Sequence, residues 1–416
     1  MMTGKEKVAL ALQHKTGPVP LDFGATATTG IHVSVVEKLR EYYGLPKKII
    51  AVAEPGQMLG VIDDDLARAI GVDTVPFWGD SNLYGFSNHA CKEWKTPWGQ
   101  TVLVPEEFYV QNGPGEYIYL FPCGDKNAEP CAKMPLSGYF FDTIIRQPVI
   151  DDDTLNYKDN LEEFGPVSEQ NLQYYKEKLK KMDSSDRALI ANFGGTALGD
   201  IALVPGPMLR QPKGIRDVEE WYVSTITRPE YIKQIFEEET LLALENLDKL
   251  YKTVGNQVQV AYICGTDLGA QNGPFCSPEQ FRDLYLPYYQ RVNEWIHTNT
   301  MWKTFKHCCG SILPLIDCLI EAGFDILNPV QWTARDMDAR NLKKLFGHDL
   351  VFWGGGVDTQ RTLPFGTPSE VREEVLETCS IFSENGGFVF NAIHNVQVNT
   401  PVENVIAMID AVHEFN

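Results

Sequence analysis

Short apolar runs and amphipathic stretches alternate along the chain. The runs are rich in β-branched and aromatic residues, and in the stretches between them apolar positions recur at helical spacing. This alternation is typical of βα units that build a parallel sheet. The runs that read as strands are 18–23, 72–77, 188–193, 257–264, 302–306, 324–327, 350–353 and 387–392. Eight strands, most of them followed by a helix, predict an α/β fold of the (β/α)8 TIM-barrel type.

Helix start signals support this interpretation. Ser277, Thr367 and Thr400 are each followed by proline, with Glu or Gln two positions further on. A hydroxyl N-cap, proline at the first helical position and Glu or Gln at the third form a capping box. A doubly wound open sheet is the main alternative fold. Its dinucleotide-binding version lacks support, because no G-x-G-x-x-G motif follows an early strand.

The region 78–187 separates the second predicted strand from the third. It contains β-hairpin patterns, one of them turning at Asn112–Gly115, then an acidic loop and a charged helix over 169–182. A long excursion inside a compact domain is usually a lid or a substrate-binding insertion. We therefore predict one TIM-barrel domain over 1–416 with a hairpin-rich insertion at 78–187. An insertion without function is the alternative.

Composition narrows the function classes. Lys and Arg number 36 against 56 Asp and Glu, a formal net charge of −20, which disfavours nucleic acid and anionic membranes as partners. No apolar run approaches the roughly 20 residues that span a bilayer, and no signal peptide is evident. Nine cysteines, an odd number, do not form a disulfide framework. We expect a cytoplasmic protein.

The segment Lys306–Gly310 (KHCCG) carries the clearest chemistry. It follows the strand 302–306, and in a barrel the residues just past a strand line the active-site mouth. His307 and Cys309 are two positions apart, so on an extended backbone both side chains face the same way. Imidazole and thiolate together suit zinc. The alternative is a hydrogen-bonded histidine beside core cysteines.

Several segments resemble one family in the right order. KHCCGSI, LIEAGFDILNPVQ, FWGGGVDTQRTLPFGTPSEVREEV and ICGTDLGAQNGPFCSPEQFRDLYLP are similar to the uroporphyrinogen decarboxylase superfamily, and within it to the cobalamin-dependent methyltransferases. The resemblance runs from the first helix to the last residue and is weakest across 78–187. It implies a TIM barrel and a zinc site whose ligands come from an H-x-C-G motif and from a residue after the last strand.

His307, Cys309 and Gly310 match that motif. After the last strand the chain departs from the glycine-rich G-C-G of some relatives and reads Ala-Ile-His-Asn, so the resemblance makes His394 the third zinc ligand or, alternatively, a substrate-binding residue. Some relatives also have an acidic ligand on the sixth strand. That region offers Asp325, Asn328 and Gln331, which leaves this ligand undecided.

Other residues are expected at the same mouth. Asp267, after the fourth strand, is the candidate catalytic acid; orienting or binding the metal, or capping a turn, are its alternatives. The candidate substrate-binding residues are Asp22, Asn328, Gln331 and Asn391. Three glycines at 354–356 allow close approach by a ligand or by a neighbouring strand. Trp78, Tyr84 and Phe86 are candidates for an aryl pocket, with a place in the core as the alternative.

The resemblance implies a zinc-dependent methyltransferase. It would move a methyl group from a methyl ether, first of all a methoxylated aromatic, to the Co(I) of a cobalamin. No D-x-H-x-x-G cobalamin motif occurs in the chain, so a separate corrinoid carrier protein is the expected partner. The alternatives are a metal-free decarboxylase and a non-catalytic corrinoid- or metal-binding barrel. The sequence is compatible with a homodimer.

Overall fold

The computed structural model describes residues 2–182, 185–193 and 197–416. Its strands are β1 (Ile50–Glu54), β2 (Leu59–Gly60), β3 (Thr74–Trp78), β4 (Cys91–Lys95), β5 (Thr101–Pro105), β6 (Val110–Gly113), β7 (Tyr117–Leu120), β8 (Ala132–Pro135), β9 (Asp142–Thr143), β10 (Ala188–Asn192), β11 (Val260–Cys264), β12 (Gly269–Ala270), β13 (Gly273–Pro274), β14 (Lys303–His307), β15 (Ile326–Asn328), β16 (Val351–Trp353) and β17 (Phe388–Val389).

The α-helices are α1 (Gly4–Leu12), α2 (Val33–Tyr42), α3 (Asp64–Ile70), α4 (Glu169–Met182), α5 (Val218–Thr227), α6 (Pro229–Val254), α7 (Pro278–Leu284), α8 (Leu286–Asn299), α9 (Ile316–Glu321), α10 (Ala339–Phe346), α11 (Thr362–Phe365), α12 (Pro368–Phe382) and α13 (Val402–Phe415).

Seven strands form one parallel sheet in the order β3-β10-β11-β14-β15-β16-β17. The first predicted strand closes this sheet. Leu21 forms a parallel bridge with Phe390 just past β17, and its carbonyl accepts a hydrogen bond from Asp73 N just before β3, at 2.8 Å. The segment around Leu21 therefore occupies the gap between the two edge strands as a short eighth stave. The predicted parallel barrel is confirmed, and the strand order has none of the reversal that a doubly wound sheet requires.

The inside of the barrel is a packed, largely apolar layer. Side chains from alternate positions of the strands meet there, including Ile190, Val260, Phe305 and Trp353, all fully buried. Apolar residues of α1 pack onto the same cluster, so this helix covers one end of the barrel. A filled interior is usual for this fold and leaves the chemistry to the opposite mouth.

The region between β3 and β10 has two parts. The hairpin of β4 and β5 extends a small sheet begun by β1 and β2, and a second antiparallel sheet is formed by β6 to β9. Helix α4 follows and packs against the barrel, where Tyr175 meets Phe77 of β3 with ring centroids 5.1 Å apart. Tyr84 and Phe86 are buried in the core. A lid or substrate-binding role for the insertion stays a prediction.

One of the three predicted capping boxes is confirmed in full and one in part. Thr367 forms a complete capping box with Glu370. The Ser277 hydroxyl accepts from Gln280 N as predicted, but the Gln280 side chain turns to Thr225 instead of completing the box. The prediction for Thr400 is wrong. Helix α13 begins one residue later, after Pro401, and the Thr400 hydroxyl instead donates to the carbonyl of Gln397 at 2.8 Å.

The described residues contain no helix with the length and apolarity needed to cross a bilayer. All nine cysteines are free thiols, as expected for a chain without a disulfide framework.

The Asp22 side chain ties the eighth stave to β3 and, across the barrel interior, to the end of β16. Its Oδ1 accepts from the Thr74 hydroxyl at 2.6 Å and from Ala25 N at 3.2 Å, and its Oδ2 accepts from Trp353 Nε1 at 2.8 Å. The carboxyl is fully buried. These bonds satisfy both carboxyl oxygens inside the barrel, where an unpaired polar group is costly.

Replacing Asp22 by alanine leaves the Trp353 and Thr74 donors buried without acceptors. We expect the free energy of unfolding to fall by about 3 kcal/mol. Urea denaturation followed by circular dichroism measures the change. Asp153→Ala, at an exposed position, is the control and should change it by less than about 0.5 kcal/mol. A loss that small for Asp22→Ala would show that the network does not stabilise the closed barrel.

Candidate metal centre

Three side chains at the mouth of the barrel lie close enough to hold one metal ion. His307 is the last residue of β14, Cys309 lies two residues beyond it, and His394 follows β17. One ligand atom from each lies within 4.8 Å of the others. The rings of His307 and His394 are 5.5 Å apart between centroids and inclined by 72°. The structure thus brings together the three residues that the sequence proposed as ligands.

The orientation of the His307 ring is set by its neighbours. Its Nδ1 lies 2.7 Å from Asn328 Oδ1, and the Asn328 amide nitrogen donates to the carbonyl of Trp353 at 2.9 Å, which establishes which end of the amide is oxygen. Nδ1 therefore carries the hydrogen, and Nε2 presents its lone pair. The Cys309 sulfur is 3.4 Å from that Nε2. Such a bond to the non-ligating nitrogen is the usual support of a metal-binding histidine.

The turn after β14 is held on both sides. Cys309 N donates to Asp267 Oδ1 at 2.6 Å, and Gly310 N donates to Gln331 Oε1 at 2.7 Å. Gly310 has φ +92°, and a Cβ there would lie 2.5 Å from the backbone of Gly269. Only glycine fits this position without displacing the neighbouring loop.

Burial sets the protonation of the cluster. Burial and, to a smaller extent, the nearby His307 lower the pKa of His394 to about 4, although Asp267 opposes them. Burial also lowers the pKa of His307, although Asp267 and Asn328 oppose this. The pKa of the Cys309 thiol is raised by burial and then by the Asp267 charge. At neutral pH both imidazoles are therefore neutral, as a metal ligand must be, while the thiol gives up its proton on binding a cation.

The residues fit zinc. Two imidazoles and one thiol are ligand types that zinc prefers, and three protein ligands leave a coordination position for a substrate. His307 is 4% exposed, whereas Cys309 and His394 are half-buried, so the cluster opens to one side. The Asp267 carboxyl lies on its border, with Oδ1 3.9 Å from His307 Nε2 and a side-chain exposure of 19%.

The predicted substrate-binding residues are all buried and hydrogen-bonded within the protein. Asn328 and Gln331 support His307 and Gly310, as described above. The Asn391 amide nitrogen donates to the carbonyl of Asp22 at 2.7 Å, and its Oδ1 is buried without a partner among the described residues. Whether any of these residues, or Asp22, also contacts a substrate stays a prediction.

Asp325 lies away from the cluster. It precedes β15 and bonds to Lys303 and Thr304 at the start of β14 and to His297 on α8. The sixth strand therefore contributes Asn328, which supports a ligand, rather than a carboxylate at the metal centre.

The glycines after β16 serve close packing of backbone. A Cβ on Gly354 would lie 3.1 Å from the carbonyl of Ala392, and one on Gly356 would lie 2.1 Å from the ring of Phe390. Of the two interpretations that the sequence left open for these glycines, contact with a neighbouring strand accounts for both positions.

Lys306 is a contributor that sequence reasoning missed. It is fully buried, and its Nζ donates to the carbonyls of Thr266 and His307 at 2.6 and 2.7 Å. Burial acts to lower the pKa of Lys306, but Cys264, Cys308 and Asp267 outweigh it and the pKa is raised. This cation joins the loop that carries Asp267 to the end of β14. A lysine directly before the His-x-Cys-Gly segment, at the end of a predicted strand, was the available signal.

The sequence and fold were compared with known proteins. The sequence model of the family described as "Uroporphyrinogen decarboxylase (URO-D)" matches residues 143–415, which is more than half of the chain. The chain belongs to the uroporphyrinogen decarboxylase family.

Individual members of the family are distant relatives. The uroporphyrinogen decarboxylase of Psychromonas ingrahamii is 30% identical over 154 residues, which cover 35% of this chain and 39% of the relative. That of Synechocystis sp. is 27% identical over 180 residues, which cover 42% of this chain and 48% of the relative. The matches thus span less than half the length of these curated relatives.

A solved structure matches along its whole length. It is a methyltransferase from Methanosarcina mazei, with a TM-score of 0.55 and 15% sequence identity, and the match covers 100% of this chain and 99% of that one. At this identity the likeness is one of fold. The predicted resemblance to the uroporphyrinogen decarboxylase family is confirmed.

Asn328 provides a test of the centre that leaves the three ligands in place. Asn328→Leu removes the acceptor for His307 Nδ1, and we expect zinc affinity to fall ten- to a hundredfold because the ring and its tautomer are no longer held. Competition with a zinc chelator measures the affinity. Asn341→Leu, at an exposed position on α10, is the matched control. Equal affinities for wild type and Asn328→Leu would mean that this bond does not organise a zinc site.

Proposed function

We propose that this chain is the methyl-donor-specific subunit of a corrinoid-dependent methyltransferase system. It would take the methyl group of a methyl ether, in the first place a methoxylated aromatic, and pass it to the Co(I) corrinoid of a separate carrier protein. The observation that carries the proposal is the His307–Cys309–His394 cluster at the barrel mouth. Family membership and the methyltransferase of the same fold support it.

His307, Cys309 and His394 would hold the metal. When bound, zinc supplies Lewis-acid polarisation of the ether oxygen and so eases departure of the phenolate or alkoxide. Asn328 keeps Nε2 of His307 directed at the cluster. The buried neutral imidazoles and the half-open side of the cluster favour a neutral, largely apolar methyl donor over a polyanion.

Asp267 is the residue that would handle the proton. Its carboxyl borders the cluster and is in part exposed, so it can reach the oxygen atom that leaves with the aryl group. Lys306 and Tyr222 hold its loop in place, because they donate to the carbonyls of Thr266 and Asp267 at 2.6 and 2.5 Å. Once it has taken up a proton from solvent, a carboxylate positioned in this way can act as a general acid toward the leaving oxygen, which typically contributes 10²–10⁴-fold in rate.

The proposed activity predicts a specific effect of Asp267→Asn. In the zinc-loaded protein with free cob(I)alamin and a neutral methoxybenzene, we expect kcat to fall at least about a hundredfold, because the proton donor is lost. Loss of cob(I)alamin absorbance and release of the phenol measure the rate, and zinc content should stay near that of the wild type. Asp283→Asn, at an exposed position, is the control.

The outcomes separate the alternatives. A wild type that holds zinc but transfers no methyl group to any methoxylated aromatic would favour a non-catalytic metal-binding barrel. Unchanged kcat in Asp267→Asn would remove the acid role and leave Asp267 as a support for Cys309.

A decarboxylase is the second candidate, and the names of the curated relatives favour it. The chain has no arginine before Arg40 and lacks the R-Q-A-G-R-like motif with which that activity binds its acidic tetrapyrrole. Incubation of the metal-free protein with uroporphyrinogen distinguishes the two functions. Release of carbon dioxide would establish the decarboxylase and overturn the methyltransferase proposal.

A further inference from the structure

A cavity lies beside β3, on the side of the barrel wall that α4 and the loop 24–30 cover. Its volume is about 510 Å³, within the range of small-molecule sites. The lining comes from the loop 24–30 and from β1, β3 and α4, and it is largely apolar. Its members include Thr26, Val52, Val75, Trp78, Tyr174 and Lys178. None of the three cluster residues lines it. We call it the lateral cavity.

Lys178 is the chemically distinctive group in this lining. Its Nζ donates to the carbonyl of Trp78 at 3.2 Å and lies 5.7 Å from the ring centroids of both Phe77 and Tyr174. Burial lowers the pKa of Lys178 to about 8. The ammonium group is therefore still mostly charged at pH 7, although it has lost much of its hydration.

The carboxylates of the lining are already paired elsewhere. Asp63 bonds to Arg40 and Lys48, at 2.6 and 2.9 Å, and Asp64 pairs with Arg187. Among the described residues, no carboxylate lies within ion-pair distance of Lys178. The lateral cavity therefore presents one unpaired positive charge against apolar and aromatic walls. Lys178 is half-buried, and a charge partly withdrawn from water without a counter-ion carries a cost that a bound anion would relieve.

We propose that the lateral cavity binds a small organic anion with an aromatic body and one carboxylate, the carboxylate on Lys178 and the ring among the apolar walls. Tyr174 and Trp78 suit a flat ring, and the single ammonium group suits one carboxylate rather than a polyanion. The site goes beyond the proposed methyl transfer and does not depend on it.

The cavity is also connected to the metal centre. Thr26 lines the cavity, and its hydroxyl lies 2.9 Å from the Thr28 hydroxyl. The Thr28 hydroxyl in turn donates to Asn328 Oδ1 at 3.1 Å. The same Oδ1 holds His307 Nδ1. A ligand that contacts Thr26 would therefore bind to the loop 24–30. The same loop, through Thr28, supports Asn328, which orients His307.

Benzoate binding to the full-length, metal-free chain tests the proposal by calorimetry, and benzamide serves as the uncharged analogue of the same shape. We expect benzoate to bind, benzamide to bind at least tenfold more weakly, and Lys178→Met to weaken benzoate at least tenfold, the effect of losing one charge-assisted hydrogen bond. Lys180→Met, at an exposed position on the same helix, should stay within twofold of the wild type.

A second pair of variants locates the ligand. Ala53→Phe keeps Lys178 but fills part of the cavity and should also weaken benzoate at least tenfold. His307→Ala removes a cluster residue and should leave benzoate binding within twofold, so that the result is independent of the methyltransferase proposal. Absence of binding to the wild type at millimolar benzoate, full binding in folded Lys178→Met, or loss of binding in His307→Ala would each overturn the lateral site.

Discussion

The architecture depends on how the short segment around Leu21 closes the sheet. The segment around Leu21 pairs with the chain beyond β17 on one side and with the start of β3 on the other. Without it the seven strands would form an open, curled sheet with two unpaired edges. Closure directs the carboxyl ends of all the staves to one mouth, where the loops after β14 and β17 can face each other. The proximity of His307 and His394 follows from this constraint.

Around that mouth, the side chains that support the candidate ligands matter as much as the candidate ligands themselves. Asn328 orients His307 and itself is oriented by the backbone of Trp353, and Asp267 holds the backbone of Cys309. These supports come from different staves, so the cluster is preorganised by the barrel rather than by one loop. Preorganisation of this kind keeps Nε2 of His307 turned toward the cluster, whereas burial lowers the pKa of both imidazoles and keeps them neutral.

The sequence by itself indicates much of the fold and part of the candidate site. The eight strand runs lie on the eight staves because burial on both faces of a parallel strand demands continuous apolar residues. His307 and Cys309 could be named because they are neighbours in sequence, after a strand. Thr400 misled because helix α13 begins after Pro401, which takes the N-cap position, so the Thr400 hydroxyl lies one residue too early to cap and donates to the Gln397 carbonyl.

What the sequence by itself determined is the class of fold, the position of the chemistry at the strand ends, and two of the three cluster residues. His394 became a candidate through family resemblance. Only the tertiary structure decided that it meets the other two, that Asn328 and Lys306 support the centre, and that Lys178 lines a separate cavity. The physical reason is the distance along the chain over which each signal acts. Periodicity and capping act over a few residues, whereas these contacts join segments far apart in the chain and exist only once the barrel has closed.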